Sequence, residues 1–139
     1  MTDNKHAIGN ARAWLAAIRR TMAGLRKLES GADAVTIEGE EFESADALRD
    51  RIYEQPLSVE VRSEWHTPGS TALPGEFCIL LSTGGPALRL IGALDEYQQP
   101  ESAALEWQDW GTPWTRLRVS DARADDLRAY AAIFYFGEG

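Results

Sequence analysis

Acidic side chains are the residues of this chain whose type and spacing point most directly to recognition chemistry. Residues 33–54 contain eight acidic residues and two arginines. Asp46, Asp50 and Glu54 recur every four residues, so a helix would set them in one row on its surface. A regular row of carboxylates can imitate the phosphate backbone of a nucleic acid, although an ordinary solvated helix face has the same pattern. The candidate partner-binding residues in this stretch are Glu40, Glu41, Glu43, Asp46 and Asp50.

Tryptophan is the second unusual residue type, with five in 139 residues. Trp107 lies two residues after Leu105, so both point to the same face of a strand, and Trp107 is predicted to be buried. Trp110 and Trp114 flank a Gly-Thr-Pro turn, where large aromatic side chains either complete a core or anchor a partner, and we favour completion of the core. An alternative aromatic site combines these two with residues at the end of another strand: Trp65, His66, Trp110 and Trp114.

Signatures of catalysis are sparse. The chain contains no phosphate-binding P-loop, no G-x-G-x-x-G dinucleotide motif and no G-x-S-x-G nucleophile elbow. Neither His6 nor His66 has a second histidine at metal-ligand spacing, and we predict no metal site and no cofactor. Cys78 lies in the most apolar segment, which predicts a buried and unreactive thiol. No catalytic residue is assigned, and an enzyme is the less favoured class.

Charged residues are also predicted to share one face of a β-sheet, namely Glu60, Arg62, Arg89 and Glu106. Opposite charges on adjacent strands attract, so a solvated charge ladder accounts for this pattern. A pair of carboxylates for glycoside chemistry is the less favoured interpretation. Gly84 and Gly85 predict a tight turn between two strands rather than a backbone anion site.

Length and charge set the context for these residues. A chain of 139 residues with 44% hydrophobic residues is typical of one domain. The net charge is −8, and it divides into +4 over residues 1–30 and −12 over residues 31–139. Direct binding to nucleic acid or to a membrane surface is therefore not expected. One cysteine excludes a disulfide framework, and no apolar run has the length of a membrane span, so we expect a soluble cytoplasmic domain.

Helices are predicted in the N-terminal part and at the C-terminus. Apolar residues at three- and four-residue spacing predict a first, basic helix over residues 9–29. Residues 34–43 predict a short extended piece with a turn at Gly39. Ser44 is typical of an N-cap, which predicts a second helix over 45–54 that Pro56 ends. Ser120 is a similar cap for a final helix over 121–136.

Strands are predicted between these helices. Alternating apolar residues from Leu57, the apolar runs 77–83 and 87–94, and residues 103–110 predict four strands with short connections. The fold class is therefore α+β, a four-stranded antiparallel β-meander with helices packed on one face in the order αα-ββββ-α. Residues 1–139 form a single domain with parts 1–30, 31–56, 57–110 and 120–137. The predicted core includes Val59, Leu90, Trp107 and Phe134.

Residues 52–139 resemble a group of small acidic accessory proteins encoded on bacteriophages, plasmids and integrative elements. The segment WQDWGTPWT and the closing FYFGE are the most specific part of the resemblance. The resemblance implies the setting of a mobile genetic element, where such proteins often inhibit host defence, as anti-CRISPR and anti-restriction proteins do. It carries no catalytic residues.

Three functional hypotheses follow. The first is a non-enzymatic protein that binds a host protein or protein–nucleic-acid complex through the acidic surface and inhibits it. The second is a small enzyme or small-ligand binder that uses the tryptophan-rich end of the sheet. The third is a structural or assembly factor, and the sequence leaves open whether the chain forms a homo-oligomer.

Overall fold

Three helices and two antiparallel sheets make up residues 4–83 and 86–137, the part of the chain that the computed structural model describes. The helices are α1 (Lys5–Glu29), α2 (Ala45–Glu54) and α3 (Asp121–Ala131). The strands are β1 (Val35–Ile37), β2 (Glu40–Phe42), β3 (Ser58–Ser63), β4 (Pro74–Ser82), β5 (Ala87–Ala93), β6 (Ala104–Gln108) and β7 (Thr115–Arg116). Strands β1 and β2 form a hairpin, and β3 to β7 form one sheet in chain order.

The α+β class and the antiparallel pairing are confirmed, but the main sheet has five strands rather than four, and the β1–β2 hairpin separates the first two helices, so the predicted order αα-ββββ-α was wrong. The additional strand is β7, in which Thr115 pairs with Trp107 and Arg116 with Glu106. The sequence-based prediction placed no strand between residue 110 and the final helix, which was wrong. The predicted turn at Gly84 and Gly85 lies outside the described residues.

The N-terminal half follows its local sequence signals closely. Helix α1 begins four residues before the predicted start and ends at the predicted residue. Glu38 and Gly39 both have positive φ, at 51° and 80°, which suits the tight turn of a two-residue hairpin. Helix α2 spans the predicted residues, and the Ser44 side chain accepts a hydrogen bond from the backbone N–H of Ala47.

The helical layer covers one face of the main sheet. Helices α1 and α3 contact each other and both contact β6. Under them lie Leu88, Leu90, Leu105 and Trp107, each at most 5% exposed. Among the described helices, none combines the length and apolar composition that crossing a lipid bilayer requires.

Val59 is the error in the predicted core. It lies opposite the fully buried Ile79, yet 40% of Val59 is exposed. The helical layer centres on β6, three strands away from β3, so the inward face of β3 extends beyond the helices. The alternation of side chains therefore predicted the correct face for Val59, but it did not predict how far the helical layer extends over that face.

The C-terminal helix is shorter than predicted. It ends at Ala131, and the N–H groups of Ile133 and Phe134 bond to carbonyls three residues earlier, which tightens and ends the helix. Phe134 is buried as predicted, but in this turn rather than in a helix. Phe136 stacks on Phe77 of β4 with ring centroids 4.8 Å apart, which packs the segment after α3 against the sheet.

Candidate functional site

The acidic surface is formed by the β1–β2 hairpin and α2. Ile37 and Phe42 turn one face of the hairpin inward, while Glu41 lies opposite Thr36 on the exposed face. In α2, Leu48 and Ile52 are buried against the core, which places residues midway between them on the solvent side. The predicted partner-binding residues Glu40, Glu41, Glu43, Asp46 and Asp50 are all exposed.

Ion pairs divide these five acidic residues into two groups. Glu40 pairs with Arg51, which links β2 to α2, and this contact raises the pKa of the Arg51 guanidinium. Asp46 lies 3.0 Å from Arg49, whose other nitrogen reaches Glu29 of α1 at 2.6 Å. The remaining acidic residues have no ion-pair partner in the described part of the chain: Glu41, Glu43 and Asp50.

This division gives the surface a fixed scaffold and an unneutralised part. Arg51 and Arg49 tie the hairpin, α2 and α1 together through the paired carboxylates. Glu43 immediately precedes the Ser44 cap, and Asp50 lies further along the same helix. The unpaired carboxylates are therefore presented from elements whose positions are set by packing and ion pairs, an arrangement suited to a basic partner.

The alternative aromatic site is not a single site in the structure. Trp65 follows the end of β3, whereas Trp110 follows the end of β6. The antiparallel register pairs the end of β3 with the start of β4 and the end of β6 with the start of β5, so these tryptophans lie at opposite ends of the sheet. Trp65 is fully exposed and Trp110 is 82% exposed, so the predicted burial of Trp110 was wrong.

His66 lies beside Trp65 in the loop between β3 and β4. Its Nδ1 is 3.2 Å from the Thr67 carbonyl oxygen and 3.3 Å from the Ser70 hydroxyl. Both contacts are local to the loop and exposed to solvent. Across residues 4–83 and 86–137, no three His, Cys, Asp or Glu side chains are grouped as metal ligands.

The uncovered face of the main sheet forms a groove of about 690 Å³. The register aligns Glu60, Cys78, Ile91 and Ala104 across four strands in one row. The next row contains Arg89, Glu106 and Arg116. The predicted sharing of one face by Glu60, Arg62, Arg89 and Glu106 therefore agrees with the register, and the charges form a ladder across it.

Arg89 is the most constrained charge in this groove. Its Nε donates to Glu106 Oε1 at 2.9 Å, and its guanidinium lies 4.1 Å from the ring centroid of Trp114. Trp114 is therefore half-buried over an arginine on the open face, and the prediction that it completes the core was wrong. Arg116 lies beyond Glu106 with no ion-pair partner among the described residues.

Cys78 lies on the open face of the sheet rather than under the helices. It is half-buried, which corrects the predicted full burial. Desolvation raises the pKa of its thiol, and this effect exceeds the opposing influence of Arg89. A thiol with a raised pKa is a weak nucleophile at neutral pH, so the groove offers no activated cysteine.

Sequence reasoning missed the contribution of β7 to this groove. Trp114, Arg116 and Arg118 alternate with Thr115, Leu117 and Val119, which is the period-two pattern of a strand with one buried face. Leu117 is buried, and its N–H donates to the Leu105 carbonyl, which extends the pairing past β7. This alternation was the available signal.

Comparison of the chain with family models, with curated proteins and with solved structures found no match in any of the three.

Proposed function

We propose that this chain is a non-enzymatic binding protein that inhibits a nucleic-acid-handling defence complex through its acidic surface, in the manner of anti-CRISPR and anti-restriction proteins. The observation that carries the proposal is the group of three exposed, unpaired carboxylates, Glu41, Glu43 and Asp50. They lie on the hairpin, on α2 and on the connection between them, and ion pairs tie the hairpin to α2 and α2 to α1.

Electrostatics favours a basic protein groove as the target. A groove that binds nucleic acid carries arginines and lysines placed to meet phosphates, and three fixed carboxylates can meet the same groups. The net charge of −8 repels nucleic acid itself. The chain therefore acts on the protein component of such a complex and competes with its nucleic acid.

Charge reversal tests the proposal. The variant Glu41→Lys/Glu43→Lys/Asp50→Lys is compared with the native chain for inhibition of DNA cleavage by purified CRISPR effector complexes and restriction nucleases. We expect the triple variant to lose inhibition, because its lysines repel a basic groove. We also expect inhibition by the native chain to weaken as salt rises, because salt screens the attraction. The melting temperature should change little, since isolated surface changes are worth less than about 0.5 kcal/mol each.

A matched control separates surface geometry from net charge. The variant Glu64→Lys/Glu96→Lys/Glu101→Lys reverses three other exposed carboxylates and changes the net charge equally. It should remain inhibitory. Full inhibition by the first variant, or equal loss in both, contradicts the assignment to the acidic surface. A native chain that inhibits none of these complexes contradicts the proposed class of partner.

The open-face groove supports a second candidate, a small-ligand binder. Its supporting observation is the unpaired Arg116 beside the Arg89–Trp114 stack, which would favour an anionic ligand with a flat ring. In that case the acidic reversals leave activity unchanged, whereas Trp114→Ala removes it from a folded protein. Trp110→Ala is the control, because Trp110 is exposed outside the stack.

A further inference from the structure

Strand β3 and the preceding Leu57 lie at an edge of the main sheet and have apolar side chains that remain exposed. Leu57, Val59 and Val61 are 60%, 40% and 37% exposed. Strand β4 pairs along one side of β3, so the main-chain groups on the other side form a row that can pair with another strand. Such an edge is favourable for β-sheet extension.

The charge pattern of β3 is complementary to that of a second copy of the same strand that runs antiparallel to it. Glu60 has no ion-pair partner in the described part of the chain, and the Arg62 side chain is 79% exposed while it pairs with Glu76. Two copies of β3 related by a two-fold axis normal to the sheet run antiparallel, and the residue on the axis then sets the register. Directly opposed side chains in such a pair interact most strongly.

Among two-fold axes placed from Val59 to Arg62, charge favours one register. A two-fold axis at Glu60 would place the two Glu60 side chains opposite each other, and an axis at Arg62 would do the same for the two Arg62 side chains. Both registers are therefore repulsive. An axis at Val59 places Glu60 opposite Ser58 and brings Pro56, which has no N–H, into the ladder. An axis at Val61 opposes Glu60 to Arg62 of the second copy, and by symmetry this attractive pair occurs twice.

We propose that this chain forms a symmetric dimer through antiparallel β3–β3 pairing with Val61 on the two-fold axis. The two main sheets become one ten-stranded sheet with both open faces on the same side. The same register opposes Val61 to its own copy and Leu57 to Trp65 of the second copy, so these exposed apolar residues meet one another, while Val59 lies opposite Ser63. The dimer goes beyond the proposed inhibitory function and uses none of the acidic-surface residues.

Variants with exchanged charges test the register. Their dimerisation is measured on the full chain by sedimentation velocity over a range of concentrations. Glu60→Arg alone turns both attractive pairs into repulsive ones, and we expect it to weaken dimerisation about tenfold or more. Arg62→Glu alone should weaken it similarly. The double variant Glu60→Arg/Arg62→Glu restores two opposite-charge pairs and should recover the dimer, which a merely structural role of either residue would not produce.

Cross-linking tests the position of the axis. In a Cys78→Ser background, Val61→Cys places two thiols on directly opposed residues, whose Cα atoms lie about 4.5–5.5 Å apart in an antiparallel pair, within disulfide range. The control Val59→Cys leaves its two thiols four residues apart along the ladder, about 14 Å, and should not cross-link. A native chain that stays monomeric up to its solubility limit overturns the proposal. So does a dimer that Glu60→Arg leaves unchanged, or a Val59→Cys chain that cross-links as well as Val61→Cys.

Discussion

At the scale of single residues, Asp126 links two helices through a buried charge. Its Oδ1 accepts a hydrogen bond from Arg26 Nη2 of α1 at 2.9 Å. Arg123 on α3 approaches Oδ2 at 3.0 Å, but without the geometry of a hydrogen bond, so that oxygen remains without one. Because only 4% of the Asp126 side chain is exposed, water cannot easily replace a lost arginine as its hydrogen-bond partner. Arg26 therefore supports the contact between α1 and α3.

Removing Arg26 should consequently destabilise the fold. We expect Arg26→Ala to lower the free energy of unfolding by roughly 2 kcal/mol, the range for a hydrogen bond to a charged group. Arg19→Ala is a matched control, because Arg19 is an exposed arginine on the same helix, and it should change stability by less than about 0.5 kcal/mol. Urea denaturation measures both. Equal losses in the two variants would mean that helix propensity or net charge, and not the Asp126 contact, determines the effect.

At the scale of elements, the chain between β5 and β6 packs closely over β5. Ser102 Oγ accepts a hydrogen bond from the Ala93 N–H, and the Glu101 N–H donates to the Ala93 carbonyl. A Cβ atom on Gly92 would overlap the Ser102 carbonyl and lie 2.8 Å from the Phe77 ring. This close approach requires glycine at position 92, because one obstacle is backbone and the other is a buried ring.

Gly92→Ala should therefore cost on the order of 3 kcal/mol, at the upper end of overpacking effects. Gly9→Ala in α1 provides the control, since a Cβ there meets nothing within 4 Å. That substitution should leave stability unchanged or raise it by up to about 1 kcal/mol through helix propensity. Thermal and urea unfolding of both variants measure the difference. A Gly92→Ala protein as stable as the native chain would show that the Ser102 segment moves aside freely.

At the scale of the whole molecule, two layers divide the tryptophans between core and surface. Trp107 is 5% exposed beneath the helices, whereas Trp110, three residues later, is 82% exposed beyond the strand end. The two residues therefore differ widely in burial although they lie only three positions apart in the sequence. Their difference follows from the helical layer, which covers β6 and not the turn after it.

Alanine at these two positions should separate the core from the surface. Trp107→Ala should lower the free energy of unfolding by about 3–5 kcal/mol, because it leaves a large cavity under the helices. Trp110→Ala should change it by less than about 0.5 kcal/mol. Chemical denaturation measures both values, and the dependence of the unfolding free energy on denaturant concentration should be the same in the variants as in the native chain. A loss below about 1 kcal/mol for Trp107→Ala would indicate that the opposite face of β6 is covered.

The sequence alone was sufficient wherever the determining interactions are local. Ser44 and Ser120 predicted where two helices begin, because a cap hydrogen bond joins residues three apart in the chain. The turn at Gly39 and the end of α1 were predicted for the same reason. Alternation also predicted which side chains share a sheet face, so Glu60, Arg89 and Glu106 were placed together before the register was known.

Only the tertiary structure decided which surfaces are covered and which charges remain unpaired. Alternation gives two faces to a strand, but the helices that cover one of them come from distant parts of the chain. Val59 and Trp114 were therefore assigned to the core and lie outside it. The five candidate acidic residues likewise appear equivalent in sequence, yet arginines of α2 pair with two of them and leave Glu41, Glu43 and Asp50 without an ion pair in the described chain. Burial and pairing depend on which elements approach each other, and periodicity carries no information about that approach.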